Sequence, residues 1–256
     1  MANGKAFDDA VILARSTPKL SVGCHIVLTD GVPVLREPEV STLVESRRDP
    51  RFRESFRQFA ATAIIGRLDS DQIEAEARAQ ISKLQAAGIT VSHFDTHKHT
   101  HLFPQILRPL LRAAQACGVR AVRNLFGPVS FATVAYRPTL WKRYGQMKLL
   151  CGLGGKFRAV IEKSGLRTPD GTVGIVGTGA LDLQLMKSIL QDLPHGTWEF
   201  VCHPGYNDAD LALVKTRLRE SRVEELRALT SPAAAELLAA NSIELISYHD
   251  FAGSSG

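Results

Sequence analysis

Apolar positions along the chain recur with two different periods. Runs of strand length occur at 20–28 (LSVGCHIVL), 91–97 (VSHFDTH), 120–126 (RAVRNLF), 173–178 (VGIVGT), 197–203 (TWEFVCH) and 243–248 (IELISY). Between them, apolar residues spaced three and four apart predict helices over 52–66, 70–88, 104–118 and 181–193, with two more before the last strand. Ser70, three residues ahead of Ile73, marks a helix start and Gly88 its end. Pro109 predicts a kink or break in the helix that contains it. The segment 128–170 shows no clear period. Strands alternating with helices predict an α/β domain with a mostly parallel sheet, closed or nearly closed.

Composition narrows this picture. A chain of 256 residues that is 45% apolar and 22% charged can fill one large core, and its length suits a single α/β barrel. One domain is expected over 1–256, with 252–256 as a flexible tail. No apolar run is long enough to span a bilayer, and the N-terminal residues lack the layout of a signal peptide. Cys24, Cys117, Cys151 and Cys202 are far apart and form no C-x-x-C pair. That pattern points to reduced thiols in a cytoplasmic protein, and away from a disulfide framework or a cysteine zinc site. The net charge of +5 is uneven: RPTLWKRYGQMKLLCGLGGKFR, from Arg137 to Arg158, holds six basic residues and no acidic one. A solvated surface would explain it. Trp141, Lys142, Arg143 and Lys148, with their leucine neighbours, also suit a face that touches a membrane surface or an amphiphilic substrate.

The chemistry concentrates in VSHFDTHKHTH, where four of the eight histidines fall within nine residues. Strand side chains alternate faces, so His93, Asp95 and His97 are expected to point the same way. His25 lies late in an earlier strand and His203 closes a later one, so three strands bring histidine to their C-terminal ends, the face where barrel enzymes assemble their sites. A divalent metal held by neutral imidazoles and a carboxylate fits this pattern, with Asp95 placed to hold the second ring nitrogen of a ligand. The alternative for His25 is a satisfied core histidine, and for His249 a core or surface one. His99 and His101 are either hydrogen-bonding scaffold or part of a substrate cleft.

SVGCHIVLTDGVPV, HFDTHKHTHLFPQI and EFVCHPGYND, in this order and spacing, resemble the YdjC-type carbohydrate deacetylases. FDTHKHTHLFPQILRPLLRAA, with TWEFVCHPGYND and ALTSP, looks closest to the hopanoid-biosynthesis-associated HpnK subgroup. The resemblance covers about residues 1–250. It implies a distorted, roughly seven-stranded TIM-barrel-like fold and a metal-dependent N-deacetylase. It makes His25 and His97 ligands of one divalent ion, magnesium or zinc, and gives His203 a part in proton transfer. Asp95 becomes an orienting residue, while His99, His101, Pro204 and Tyr206 line the substrate. The implied substrate is an acetylated amino-sugar, in the subgroup the N-acetylglucosaminyl head of a hopanoid. Partners expected from this reading are that sugar, a peripheral contact with the inner face of the membrane and a second copy in a homodimer, with no nucleic acid.

One departure qualifies the resemblance. The family opens on a strand bearing N-A-D-D-F-G, whose aspartates complete the metal site. MANGKAFDDAVILAR matches the family's segment downstream of that strand and its helix, so the expected fold lacks a first βα unit on the order of 30 residues. Asp8 and Asp9 fall in the helix of the family pattern and are not assigned the role. Weak metal binding and low turnover are expected for this chain. The rival readings are a catalytically impaired relic that binds carbohydrate or lipid, and an amidohydrolase-type metallohydrolase.

Overall fold

The computed structural model describes residues 2–46 and 48–253, which form two compact units. The first takes the chain up to Arg123, Lys156–Thr168, and Ile246 onward. The second takes Asn124–Gly155 and Pro169–Leu245. Of the tail expected over 252–256, Ala252 and Gly253 close a short helix, Tyr248–Gly253, and 254–256 lie outside the described residues.

The first unit is built on three parallel strands in the order β1 (Val22–Ile26), β2 (Val91–Thr96) and β3 (Ala121–Val122). Cys24, Ile26 and Phe94 point into the core and are fully buried. Two helices supply the other side of that core. Ser70–Ala86 contributes Ile73, Ala77, Ile81 and Leu84, and Pro104–Ala116 contributes Ile106, Leu107, Leu110 and Leu111. The first is capped by Asp69, whose carboxylate accepts from the amides of Asp71 and Gln72, one residue before the predicted start. Both end in the same way. Gly88 and Gly118 take left-handed φ of 79° and 72°, and the next residues, Ile89 and Val119, bond back to Leu84 and Ala114. Each stop delivers the chain straight into β2 or β3. Pro109 does not interrupt its helix, which continues to Ala116.

The long connection after β1 is tied to the helix Ser70–Ala86 by buried polar groups. Gln80 pairs with both the amide and the carbonyl of Val27 at 2.9 and 2.7 Å. Glu76 accepts from the amides of Val34 and Leu35 at 2.8 and 3.0 Å. Both side chains are fully buried, and burial raises the Glu76 carboxyl above its usual range against the pull of those bonds.

The second unit pairs β4 (Gly171–Val173) with β5 (Trp198–Phe200), again in parallel. The helices Pro138–Cys151, Leu183–Gln191, Glu220–Leu229 and Pro232–Ala240 surround a core that includes Leu140, Val173, Leu181, Leu185, Met186 and Ile189.

The architecture is therefore mixed α/β with parallel pairing, but the sheets are small. Among the described residues there are five strands in sheets of three and two. The expected strand over 173–178 stops at Val173, because Gly174 turns left-handed (φ 92°) against the carbonyl of Val201 and starts a 3-10 turn at Ile175–Gly177. The expected strand over 243–248 does not form. Leu245 and Ile246 remain 76% and 49% exposed, so their alternation has no core face to fill.

Candidate active site

The site grows from the register of β1 against β2, which sets His25 directly beside Asp95. Asp95 is 6% exposed and accepts from His25 Nδ1 at 2.7 Å, while its other oxygen pairs with Arg123 at the end of β3. Burial by itself would raise this carboxyl. The hydrogen bond and charge of His25, with the charge of Arg123, hold it well below the usual carboxylate range. An ionised Asp95 holds the Nδ1 proton of His25, so Nε2 is the ring nitrogen left to meet a ligand.

β1 and β2 fall out of step between Val22 and Cys24, where β2 spends three residues against two. His93 lies at this bulge, its ring over Gly23: a Cβ there would come within 2.4 Å of the imidazole. The ring stacks on Tyr248 at 3.6 Å between centroids, and its Nδ1 meets Ser92 Oγ at 2.9 Å. Gly23 of the G-x-H motif is thus needed for packing, while the histidine two residues on carries the chemistry.

Beyond Thr96 the predicted alternation fails. The strand ends there, and Lys98 and His99 adopt left-handed φ of 52° and 56°. His97 comes to lie edge-on to His25, with ring centroids 5.6 Å apart and Nε2 3.8 Å from Asp30 Oδ2. Burial, His25 and Lys98 together lower the His97 imidazole to about 4, so it is neutral near neutral pH. Asp30 is itself left-handed (φ 57°) and bonds Lys98 Nζ at 2.7 Å. Burial would raise the Asp30 carboxyl, but the hydrogen bond and charge of Lys98 hold it below its ordinary value. Three non-glycine residues in this costly region thus flank one pair of imidazoles, a concentration of strain typical of functional loops.

His101 leaves the group altogether. The two left-handed residues carry it to the opposite face of β2, where it is fully buried. Its Nδ1 meets Thr96 Oγ1 at 2.6 Å and its Nε2 meets the Arg123 carbonyl at 3.3 Å. Burial pulls its imidazole down to about 3. It belongs to the scaffold, not to a cleft. His99 is half-buried in the turn, and His249 is on the surface.

In the second unit, His203 follows β5 in an extended loop whose amide is held by the buried carboxylate of Glu225. Pro204 and Tyr206 continue the loop, and Tyr206 is 74% exposed. In the basic segment Arg143 turns inward onto the carbonyls of Val176 and Thr178 at 2.8 and 2.7 Å, and Phe157 is buried. Trp141, Lys142 and Lys148 face outward.

The donor chemistry of His25 and His97 fits a divalent ion. Both rings lie at one end of the sheet, one with its tautomer fixed by a carboxylate and the other held neutral. Among the described residues, no three His, Cys, Asp or Glu side chains are already grouped to hold a metal.

Asp30, Lys98, Arg123 and Glu225 join these contacts without having been singled out from the sequence. Asp30 and Arg123 follow the ends of β1 and β3, where the logic that singled out the histidines could have found them. Nothing in the sequence pointed to the Glu225 contact, which depends on a helix packed from far along the chain.

The parallel-sheet α/β scaffold thus carries a histidine pair at its strand ends, one of the two oriented by a buried carboxylate. The chain belongs to the YdjC-like family, whose profile matches residues 1–240. It is 28% identical to carbohydrate deacetylase 1 of Listeria innocua serovar 6a over 253 residues, covering 98% of this chain and 86% of that one. It is 31% identical to a carbohydrate deacetylase of Geobacillus stearothermophilus, covering 98% and 84%. The fold matches the crystal structure of an Enterococcus faecalis V583 protein provisionally designated a cellobiose-phosphate cleavage protein. The TM-score is 0.73 at 22% identity, over 98% of this chain and 86% of the other. No helix among the described residues is long and apolar enough to cross a membrane.

Proposed function

We propose that this chain is a metal-dependent carbohydrate deacetylase that hydrolyses the N-acetyl group of an N-acetylglucosamine-type sugar, carried as the head group of a hopanoid. The observation that carries the reading is the buried Asp95 carboxylate, paired with His25 and Arg123, beside a neutral His97. The relatives named as carbohydrate deacetylases support the reaction class. The resemblance of FDTHKHTHLFPQI and TWEFVCHPGYND to the hopanoid-associated subgroup supports the substrate.

His25 and His97 would hold a magnesium or zinc ion. When bound, such an ion supplies a Lewis acid for the amide carbonyl and a source of nucleophile at neutral pH. The chain's own work is electrostatic and positional. Asp95 keeps the His25 proton on Nδ1, Arg123 keeps Asp95 ionised, and burial keeps His97 from taking a proton that would cancel its lone pair. His203 is assigned the proton delivered to the leaving amine, since imidazole can give up a proton near neutral pH.

Acetate release tests the reading. The protein, supplied with magnesium or zinc, is incubated separately with an N-acetylglucosamine oligosaccharide and an N-acetylglucosaminyl hopanoid. Slow acetate release from the lipid-linked substrate, lost in His97→Ala, is expected. Release from the oligosaccharide alone would remove the hopanoid assignment, and release from neither would overturn the deacetylase reading. An unchanged kcat in His203→Ala would take the donor role from that residue.

A further inference from the structure

We infer that the outward face of the helix Pro138–Cys151 is a docking surface for an anionic lipid bilayer. The helix buries Leu140 and turns Arg143 and Met147 toward its own unit, which leaves Trp141, Lys142, Gly145, Lys148 and Leu149 on the opposite face. These positions recur at the three-, four- and seven-residue spacings of one helical stripe. A solvated stripe ordinarily mixes charges of both signs and leaves few large apolar groups exposed. Here Trp141 is 47% exposed, Leu149 is 84% exposed and Leu153, just past the helix, is 46% exposed. Both charges on the stripe are positive, and no acidic residue occurs from Arg137 to Ile161.

The aromatic end of this face is prepared for partly apolar surroundings. Trp141 donates its indole N–H to the Val134 carbonyl at 3.0 Å, so its polar edge is satisfied inside the protein. Phe131, half exposed, packs against Trp141 and Tyr144 with centroids 5.8 and 5.6 Å away, so the three rings form one cluster. Aromatic rings beside exposed lysines, with the Lys148 ammonium 6.0 Å from the Tyr144 centroid, make up the composition of helices that lie in the headgroup region.

Two glycines add an independent observation. Gly145 and Gly152 are seven residues apart on the same stripe, and a Cβ built on either meets nothing within 4 Å. Gly152 has ordinary right-handed geometry (φ −61°) and Gly145 is inside the helix, so neither backbone conformation nor packing requires glycine. Gly145, inside the helix, weakens it for no gain inside the fold. A flat, low-relief strip between Trp141 and Leu149 is what close approach to a broad surface uses.

The partner is an anionic bilayer rather than a second copy of this chain, because a copy would bring the same uncompensated lysines against themselves. Phosphate headgroups neutralise Lys142 and Lys148, while Trp141, Leu149 and Leu153 enter the acyl boundary.

Cosedimentation tests the surface without reference to deacetylation, so its failure and that of the deacetylase reading are separable. Full-length protein is mixed at low salt with vesicles of phosphatidylcholine alone, or of phosphatidylcholine with phosphatidylglycerol. Binding is expected only with the anionic vesicles. The double variant Lys142→Glu/Lys148→Glu should weaken it roughly 25-fold or more, each lysine near a charged surface being worth about fivefold. Leu149→Asp should weaken it as well. These positions are exposed, so an unchanged melting temperature is the control for folding. Failure to bind phosphatidylglycerol vesicles, equal binding to both lipids, or full binding by either variant would overturn the proposal. So would a monomer–dimer equilibrium abolished by Leu149→Asp in the absence of vesicle binding.

Discussion

At the scale of single residues, Asp95 has the most consequence for the least surface. Its two oxygens serve His25 and Arg123, so substitution touches both the tautomer of one and the charge balance of the other. Asp95→Asn keeps the shape and removes the charge. Partners of this kind cost about 10–100-fold in metal affinity or activity when lost, and that fall should appear in kcat/KM for acetate release. His101 makes a different prediction. Its folded pKa of about 3 lies below the unfolded value near 6.5, so between these values the unfolded chain binds more protons. Its contribution to stability is complete above pH 6.5 and is withdrawn as the pH falls toward 3, by up to roughly 1.4 kcal/mol per pH unit. Urea unfolding between pH 7.5 and 4 should show this slope, and His101→Gln should flatten it.

At the scale of elements, the connections matter more than the strands. The chain leaving β1 has no neighbouring strand at Val27, and the Gln80 side chain stands in for one, pairing with both backbone groups. Gln80→Leu would bury an unpaired amide and an unpaired carbonyl, and should cost roughly 2–5 kcal/mol by denaturant titration. The helix Pro138–Cys151 predicts the opposite sign. Gly145→Ala meets no steric obstacle and gains helix propensity, so the melting temperature should rise by about 2–4 °C for about 1 kcal/mol gained.

At the scale of the molecule, ligand binding is linked to stability. On the proposed reading, a divalent ion held by His25 and His97 in the folded state alone would stabilise by about 2.7 kcal/mol at a hundredfold excess over its Kd. Thermal melts with magnesium or zinc should therefore shift upward, and the shift should vanish with EDTA and in His25→Ala and His97→Ala.

The sequence by itself determined the local elements and the chemistry available to them. Helix boundaries were readable because caps are local: Gly88 and Gly118 stop helices through their own φ angles, whatever packs around them. The pairing of His25 with Asp95 was foreseeable in kind, since Asp95 is placed to hold the second ring nitrogen of a histidine and both fall late in strands of one expected sheet. Only the tertiary structure decided which histidines stay together. Period-two alternation predicts one face for His93, Asp95 and His97 and leaves His99 and His101 open, and that period holds only while a ladder enforces it. At Thr96 the ladder ends, two left-handed residues rotate the chain, and His101 is buried on the far face while His97 stays beside His25. The same reason removed the strand expected at 243–248: alternation marks a face, and a face becomes a strand only where another backbone is there to pair with it.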